Sequence, residues 1–377
     1  MMFLAAALLP CFTTAFKVTA VSAGGDHALM LLENGEVFAA GDNRHGQLCI
    51  GHKKAVDAAV RVDIGEKVKA VAAGCSHSLL ITESGDVYAA GDNNHGQLGT
   101  GGSGSSEAFP VPTKMDLSAL GAKVASVAAG CWFSLLLLES GEVYGVGLNS
   151  FGQLGLGATS PSVHTSLVKM QLTGKASSIA AGCTHSLVLL ENGEVYGTGD
   201  NLDGQLGIGN TQDQATPSKV RAASRVVAIA AGTYHSLLLM ENGEVAAVGS
   251  NLHGQLGIGS FDSQVLPGTW LLEAEAPVKA VAAGDFHSLV LLESGDVYAT
   301  GDNSYRQLGI GVWDMTPTPR LMRLDESVTA VGAGWSYSLM IAESGEVFSA
   351  GYHLIHSREA GHAEHRPALP TRMECCG

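Results

Sequence analysis

The chain carries little charge. Asp, Glu, Lys and Arg make up 15% of its 377 residues, against about 25% in an ordinary globular domain. The charge present leans one way: 36 acids against 21 bases give a formal net charge of −15, and no dense run of Lys and Arg interrupts it. Such a chain repels phosphate. That argues against direct binding of DNA or RNA and against a polybasic membrane patch. Cysteine is also sparse, at 7 residues, too few for a disulfide scaffold of this length. No apolar stretch is long enough to span a bilayer. The most apolar, "MMFLAAALLPCFTTAF" over residues 1–16, is broken by Pro10 and lacks a basic leading region. A secretory signal and a truncated start both stay open for it. Cytoplasm or nucleus is the expected location, with secretory or organellar import left open by that segment. Helical periodicity is missing throughout, which argues against helical repeats.

What abounds is glycine, 49 residues or about 13%, where about 7% is usual. It recurs in register. "GDNRHGQLC" starts at Gly41, "GDNNHGQLG" at Gly91, "GLNSFGQLG" at Gly147, "GDNLDGQLG" at Gly199, "GSNLHGQLG" at Gly249 and "GDNSYRQLG" at Gly301. A second anchor, a small-residue step such as "VAAG", ends at Gly24, Gly74, Gly130, Gly182, Gly232, Gly284 and Gly334, at intervals of 50, 56, 52, 50, 52 and 50. Seven units therefore fill residues 17–377. A chain this long exceeds one ordinary core and would by default form two or three domains. A repeat array escapes that limit, because each unit buries a small core against its neighbours. In the second unit "KVKAVAAG" is β-rich, "HSLLITE" is nearly all apolar, "SGDVYAAG" reads as its hairpin partner, and "VPTKMDL" closes the unit. Four short antiparallel strands per unit make a propeller blade. The expected fold is all-β, a seven-bladed β-propeller.

The repeated positions have structural roles, taken here from the second unit. Gly74 ends the small-residue step. Gly85 sits in the hairpin, read as a tight two-residue turn at positive φ. Asn93 can form an Asx turn, Gly96 permits a tight bend, the Gln97 amide can pair with loop backbone, and Leu98 plugs the loop onto the blade. His77 recurs as His27, His185, His235 and His287, but units three and seven carry Phe133 and Tyr337. A packing slot for an aromatic shape explains all seven; a metal or catalytic ring explains five. Cys75, Cys131 and Cys183 share one position in three successive units. Lying a repeat apart, they are expected to be small buried fillers that do not bond. The last unit has "GYHLIHSREAG" in place of the "GQLG" loop, and its final strand around "LPTRMEC" is expected to pair with unit one and close the ring.

The combination of "AAG", "HSL", "GEVY" and "GxNxxGQLG" resembles the regulator of chromosome condensation repeat over nearly the whole chain. The resemblance implies a seven-bladed propeller. No nucleophile–base pair and no ligand set with metal spacing stands out, so no enzyme activity, metal or cofactor is expected. "GTGGSGSS" has G-x-G-x-x-G spacing, but Pro110 and Pro112 follow where a helix would have to begin, and it reads as a loop. The expected function is a protein-interaction platform. The resemblance also implies two alternatives, a guanine-nucleotide exchange factor for a Ran-like small GTPase and a recognition module for a ubiquitin-ligase component. Exchange in that family uses a protruding wedge hairpin, and chromatin docking a basic tail. Here the longest interval is 56 residues, its extra length is Gly/Ser-rich, and the N-terminus is not basic. Ultraviolet-B sensing in the family relies on clustered tryptophans; Trp132 and Trp335 lie in non-adjacent units, so photoreception is not expected.

Alternating turns give such a ring two unlike faces. Every hairpin carries an acid on both sides of its turn, including Glu191 with Glu194 and Glu241 with Glu244. A sevenfold acidic ring is expected there, serving solubility or docking a basic partner. The other face bears the variable insertions. Binding usually resides on loops held by a rigid scaffold, so Trp313 and Phe261 are the expected anchors for a protein partner.

Overall fold

In the computed structural model, which describes residues 16–101, 108–352 and 369–373, every helix or strand element is a strand. Residues 1–15, the Gly/Ser insertion at 102–107, most of "GYHLIHSREAG", Cys375 and Cys376 lie outside the described residues. The first blade is β1 (Val18–Ala23), β2 (His27–Leu32), β3 (Val37–Gly41) and β4 (Val56–Val62), antiparallel in that spatial order. Six more four-stranded sheets repeat the order, ending with β25 (Val328–Ala333), β26 (Tyr337–Ala342), β27 (Val347–Gly351) and β28 (Thr371–Arg372). The chain is a seven-bladed β-propeller.

The first strand of each blade borders a central channel and touches the first strand of the next blade, β25 touching β1 to complete the circle. The second strand is buried at all six positions in every blade. It is covered on both faces by neighbouring blades, which is why its apolar run does not alternate. Seven core clusters result, such as Leu29 and Leu31 of blade one against Val68 and Leu80 of blade two. The outer fourth strand is partly exposed and richer in polar residues.

Two expectations are corrected. The hairpin turn is a three-residue loop, not a two-residue one. Gly35 N–H donates to the Leu32 carbonyl at 2.9 Å and Leu32 N–H to the Glu36 carbonyl at 2.9 Å. Gly35 has φ 85° and Asn34 is not at positive φ. A type I turn followed by a left-handed glycine bulge has this pattern, and only the glycine position demands the missing side chain. Second, the closing strand does not pair with blade one. β28 pairs with β27 of its own blade, Phe348 opposite Arg372 and Ser349 opposite Thr371. Closure is by packing: Tyr337, Leu339 and Ile341 interdigitate with Val18, Ala28 and Met30, and Met373 joins that cluster.

Met373 is buried, so Met373→Ala should cost about 2–4 kcal/mol. Deleting the residues after Arg366 should lower the melting temperature further or cause aggregation, since it removes β28 as well. A truncated monomer that melts with the parent chain would refute this account of closure.

Candidate functional site

Around the channel the backbone of each blade meets the next without an intervening side chain. A Cβ built on Gly24 would fall 2.4 Å from the Gly74 carbonyl oxygen, one on Gly74 2.5 Å from that of Gly130, and so around to Gly334, 2.6 Å from that of Gly24. Such contacts are closer than any side chain tolerates. In four blades the residue after the glycine uses the proximity: Gly25 N–H donates to the Gly74 carbonyl at 3.2 Å, Cys75 N–H to Gly130 at 3.3 Å, Thr233 N–H to Gly284 at 3.3 Å and Asp285 N–H to Gly334 at 3.3 Å. The residues at this position (Gly25, Cys75, Cys131, Cys183, Thr233, Asp285 and Trp335) line a channel cavity of about 80 Å³. Burial pushes the Asp285 carboxyl above the usual carboxylate range.

Here the fillers of the sequence analysis prove to be neighbours. Cys75 and Cys131 form a disulfide with Cα atoms 4.5 Å apart, and the three sulfurs of Cys75, Cys131 and Cys183 lie within 4.8 Å of one another. A repeat of 56 residues spans a long arc at the rim but almost none near the axis. Burial, with Asp285 and Asp200 nearby, pushes the Cys183 thiol up to about 12.

The histidines occupy buried slots between blades. His27 Nε2 lies 2.9 Å from Ser78 Oγ, His77 from Ser134 at 2.9 Å, His185 from Ser236 at 3.0 Å, His235 from Ser288 at 2.7 Å and His287 from Ser338 at 3.0 Å. Each serine gives its single hydroxyl proton to a glutamine carbonyl of the preceding blade, as Ser78 does to Gln47 at 2.7 Å and Ser134 to Gln97 at 2.8 Å. The serine must therefore accept from histidine, which fixes the proton on Nε2. The Nδ1 atoms have no partner. Burial holds His27, His185 and His287 down to about 4, and His77 and His235 to about 3. At the blade seven to one junction Ala28 replaces the serine, and the Tyr337 hydroxyl reaches two carbonyls directly, His27 at 2.5 Å and Gly24 at 3.2 Å. Phe133 makes no polar bridge of this kind.

The "GQLG" loop is held from within. Leu98 N–H donates to Asn93 Oδ1 at 3.0 Å, His95 N–H to Gln97 Oε1 at 2.9 Å, and Gln97 Nε2 to Asp92 at 2.9 Å. Leu98 is fully buried, and a Cβ on Gly96 would strike Thr165 of the next blade at 2.9 Å. Gly85, the hairpin counterpart of Gly35, has φ 94°. In blade six Arg306 takes the Gly96 position at φ 64°. Its guanidinium lies over the Trp313 ring, 3.6 Å from the centroid.

Trp313 and Phe261 both lie on the loop face, 41% and 45% exposed. Sequence reasoning missed a more exposed pair. Leu202 and Leu252 occupy one position in the "GQLG" loops of adjacent blades and are 76% and 70% exposed. His253, which follows Leu252, packs on Phe286 with ring centroids 4.6 Å apart, and Phe286 stacks on Tyr234 at 6.0 Å. The signal was in the sequence: "NLDG" and "NLHG" put leucine where blades one, two, three and six have Arg44, Asn94, Ser150 and Ser304.

The hairpin face is not a plain acidic ring. In five blades a base on the outer strand stands beside the second hairpin acid: Arg61 to Glu36 at 2.9 Å, Lys114 to Asp86 at 2.7 Å, Arg372 to Glu346 at 2.6 Å, and Lys169 to Glu142 and Lys219 to Glu194 in contact. In blades five and six that register position holds Thr269 and Leu321. Glu244 is met by the Asn242 amide at 2.8 Å instead. Arg225 donates to the Glu191 carbonyl at 3.2 Å and lies 3.6 Å from Glu241.

Among known proteins, the RCC1-like domain family matches residues 103–376, and the regulator of chromosome condensation (RCC1) repeat matches residues 18–47, 68–97 and 34–81. The ultraviolet-B receptor UVR8 of Arabidopsis thaliana is 30% identical over 56% of this chain and 36% of its own length. The probable E3 ubiquitin-protein ligase HERC4 of Rattus norvegicus is 41% identical over 55% of this chain. The chain covers only 19% of that ligase. Among solved structures, Prp20p from Saccharomyces cerevisiae superposes with a TM-score of 0.80 at 23% identity, over 95% of this chain and 87% of that one. Human WBSCR16 gives 0.79 at 22%, over 88% and 89%. At these identities the structural likeness is one of fold.

The buried histidines make stability depend on pH. Unfolded, each takes its proton near 6.5; folded, near 3 or 4. Their stabilising contribution is therefore complete above pH 6.5 and is lost as pH falls toward 4, by up to about 1.4 kcal/mol per unit for each histidine. Urea unfolding near pH 7 and near pH 5 should show the drop, and His185→Phe should shrink it by about 2 kcal/mol. At pH 7 that variant should cost about 1–2 kcal/mol, against about 2–4 kcal/mol for His185→Ala. Equal stability at both pH values would refute the assignment.

Proposed function

The chain belongs to the RCC1-like family, and from that premise we propose that it is a non-catalytic interaction platform that grips a protein partner with its loop face, across blades four to six. The observation that carries this is the pair Leu202 and Leu252, each at least 70% exposed, with His253, the chain neighbour of Leu252, packed on the Phe286 ring of the Tyr234–Phe286 stack. Exposed leucines at matched positions of adjacent blades stabilise nothing in the ring. An apolar patch with aromatic neighbours and a polar rim is the composition of a docking centre. Trp313, held flat by Arg306, and Phe261 extend it toward the rim. The hairpin face, where bases stand beside acids in five blades, offers a basic partner less field.

The ligase and Prp20p relatives supply two partner classes, a ubiquitin-ligase component and a small GTPase; the solved Prp20p work concerns binding to Gsp1p and histones. Exchange would require preferential binding to the nucleotide-free GTPase, a demand that a platform does not carry.

The parent chain and the Leu202→Asp, Leu252→Asp double variant, immobilised side by side in extract of the native cell, should differ. The variant should lose the main captured protein by about tenfold or more, and Trp313→Ala should weaken it less. Replacing Glu191 and Glu194 by Gln should change only the salt dependence, because exposed charges are screened within about 10 Å. Equal capture by the leucine variant, with loss in the glutamate variant, would move the site to the hairpin face. Labelled GDP should leave a Ran-like GTPase at its intrinsic rate in the presence of the chain; release tens of times faster would replace the platform with an exchange factor.

A further inference from the structure

Blades two, three and four each hang a sulfur from the same step of the channel ring, and the three sulfurs converge. Their main chain is fixed by contacts that do not involve sulfur: Cys75 N–H donates to the Gly130 carbonyl at 3.3 Å and Cys131 N–H to the Cys183 carbonyl at 3.3 Å, with Gly74, Gly130 and Gly182 closed against their neighbours. The Cα positions are therefore set whether the thiols are oxidised or reduced. We propose that Cys75, Cys131 and Cys183, in their reduced form, are a three-thiolate binding site for one thiophilic cation with a filled d shell, Zn(II) or Cu(I), at the mouth of the channel.

The geometry suits such an ion. A metal–sulfur bond of about 2.3 Å places sulfurs about 3.8 Å apart around a tetrahedral centre and about 4.0 Å around a trigonal one. The three sulfurs here lie within 4.8 Å of one another, so small rotamer changes bring all three onto one ion. Three sulfurs and no oxygen donor in the cluster select a soft cation against Mg²⁺ or Ca²⁺. The sulfurs come from one arc of the ring, and the side toward the cavity is open. A water there would complete a tetrahedral Zn(II), while Cu(I) is satisfied by the three thiolates. Asp285, two blades on from Cys183, lines the same cavity.

The Cys75–Cys131 disulfide and the bound cation exclude each other. Opening the disulfide takes two electrons from a reductant: thiols supply the two protons as well and become a disulfide, whereas a phosphine becomes its oxide with oxygen from a water molecule that supplies both protons; either route yields two thiols. The cation then displaces the three thiol protons as three metal–sulfur bonds form. The ring position thus has two closed states, one covalent and one metallated, selected by redox conditions.

The test uses the full chain, reduced with a phosphine and freed of oxygen, titrated with Co²⁺ as a spectroscopic probe. A thiolate-to-cobalt charge-transfer band should saturate at one equivalent. It should persist when Cys11, Cys49, Cys375 and Cys376 are all changed to Ser, because none of these belongs to the trio. Cys183→Ser, which leaves the other two thiols in place, should weaken binding by about 100-fold or more. The oxidised chain should give no band. Competition with chromophoric chelators then separates the ions: displacement of cobalt by Zn²⁺ alone assigns zinc, by Cu⁺ alone copper. Absence of the band in the reduced chain, an unchanged affinity in Cys183→Ser, or loss of binding in the fourfold Ser variant would each overturn the proposal. Circular dichroism of each variant confirms that the propeller is intact.

Discussion

Seven stretches of main chain pass within carbonyl contact of one another around the channel, and the spacing leaves no room for a Cβ. Gly24, Gly74, Gly130, Gly182, Gly232, Gly284 and Gly334 face the carbonyl of the next glycine in turn. This close approach fixes the radius of the ring. With the radius fixed, the second strands fall between neighbouring blades and must be apolar at every position. In five blades the histidine three residues after the ring glycine is pressed between that glycine and the serine of the next blade, which is why it is neutral and carries its proton on a known nitrogen. The outer strands, farthest from the axis, are under the least constraint and vary most.

The same geometry separates structural from available chemistry. The asparagine, glutamine and leucine of the loop look functional because they recur, yet the asparagine spends its amide, the glutamine its Oε1 and the leucine its surface on holding the loop. In blades one, two and six the glutamine amide also reaches the aspartate of its own loop. What distinguishes one blade from another lies elsewhere, in the residue after the ring glycine, the first residue after the loop asparagine, and the insertion beyond it. The candidate partner and metal sites are both drawn from those non-repeating places.

The fold was legible because a fixed period, an invariant turn and a fully apolar second strand each have one physical explanation, and all three agree. The failures concern what the fold brings together in space, within a turn, within a blade or across two blades. Cys75 and Cys131 seemed too far apart because sequence separation was read as spatial separation, which fails near an axis. The partner of the last strand was misjudged because exposed edges can be removed by any strand, and only coordinates show that β28 belongs to its own blade. The bases on the hairpin face could have been found by noting that Arg61, Lys114, Lys169, Lys219 and Arg372 recur near the ends of the fourth strands. Leu202 and Leu252 were visible as departures from a polar position, but the repeat drew attention to what was constant. Arg306 on Trp313 could not be read, since the arginine sits where every other copy of the motif has glycine.

Each blade owns all four of its strands, the seventh included, and consecutive blades share no strand. The junction of blade seven with blade one is thus the same kind of object as the other six, a packed surface crossed by a few polar bridges and no ladder. In topological terms the ring has no privileged origin. A chain cut at any interblade link and rejoined across β28 and β1 would contain the same seven sheets in the same cyclic order. Blades could likewise be gained or lost as whole modules, provided the new radius still let the glycines meet. The order of blades is then set by the pairs of surfaces that fit: phenol to bare carbonyls at one junction, phenyl at another, imidazole to hydroxyl at the remaining five.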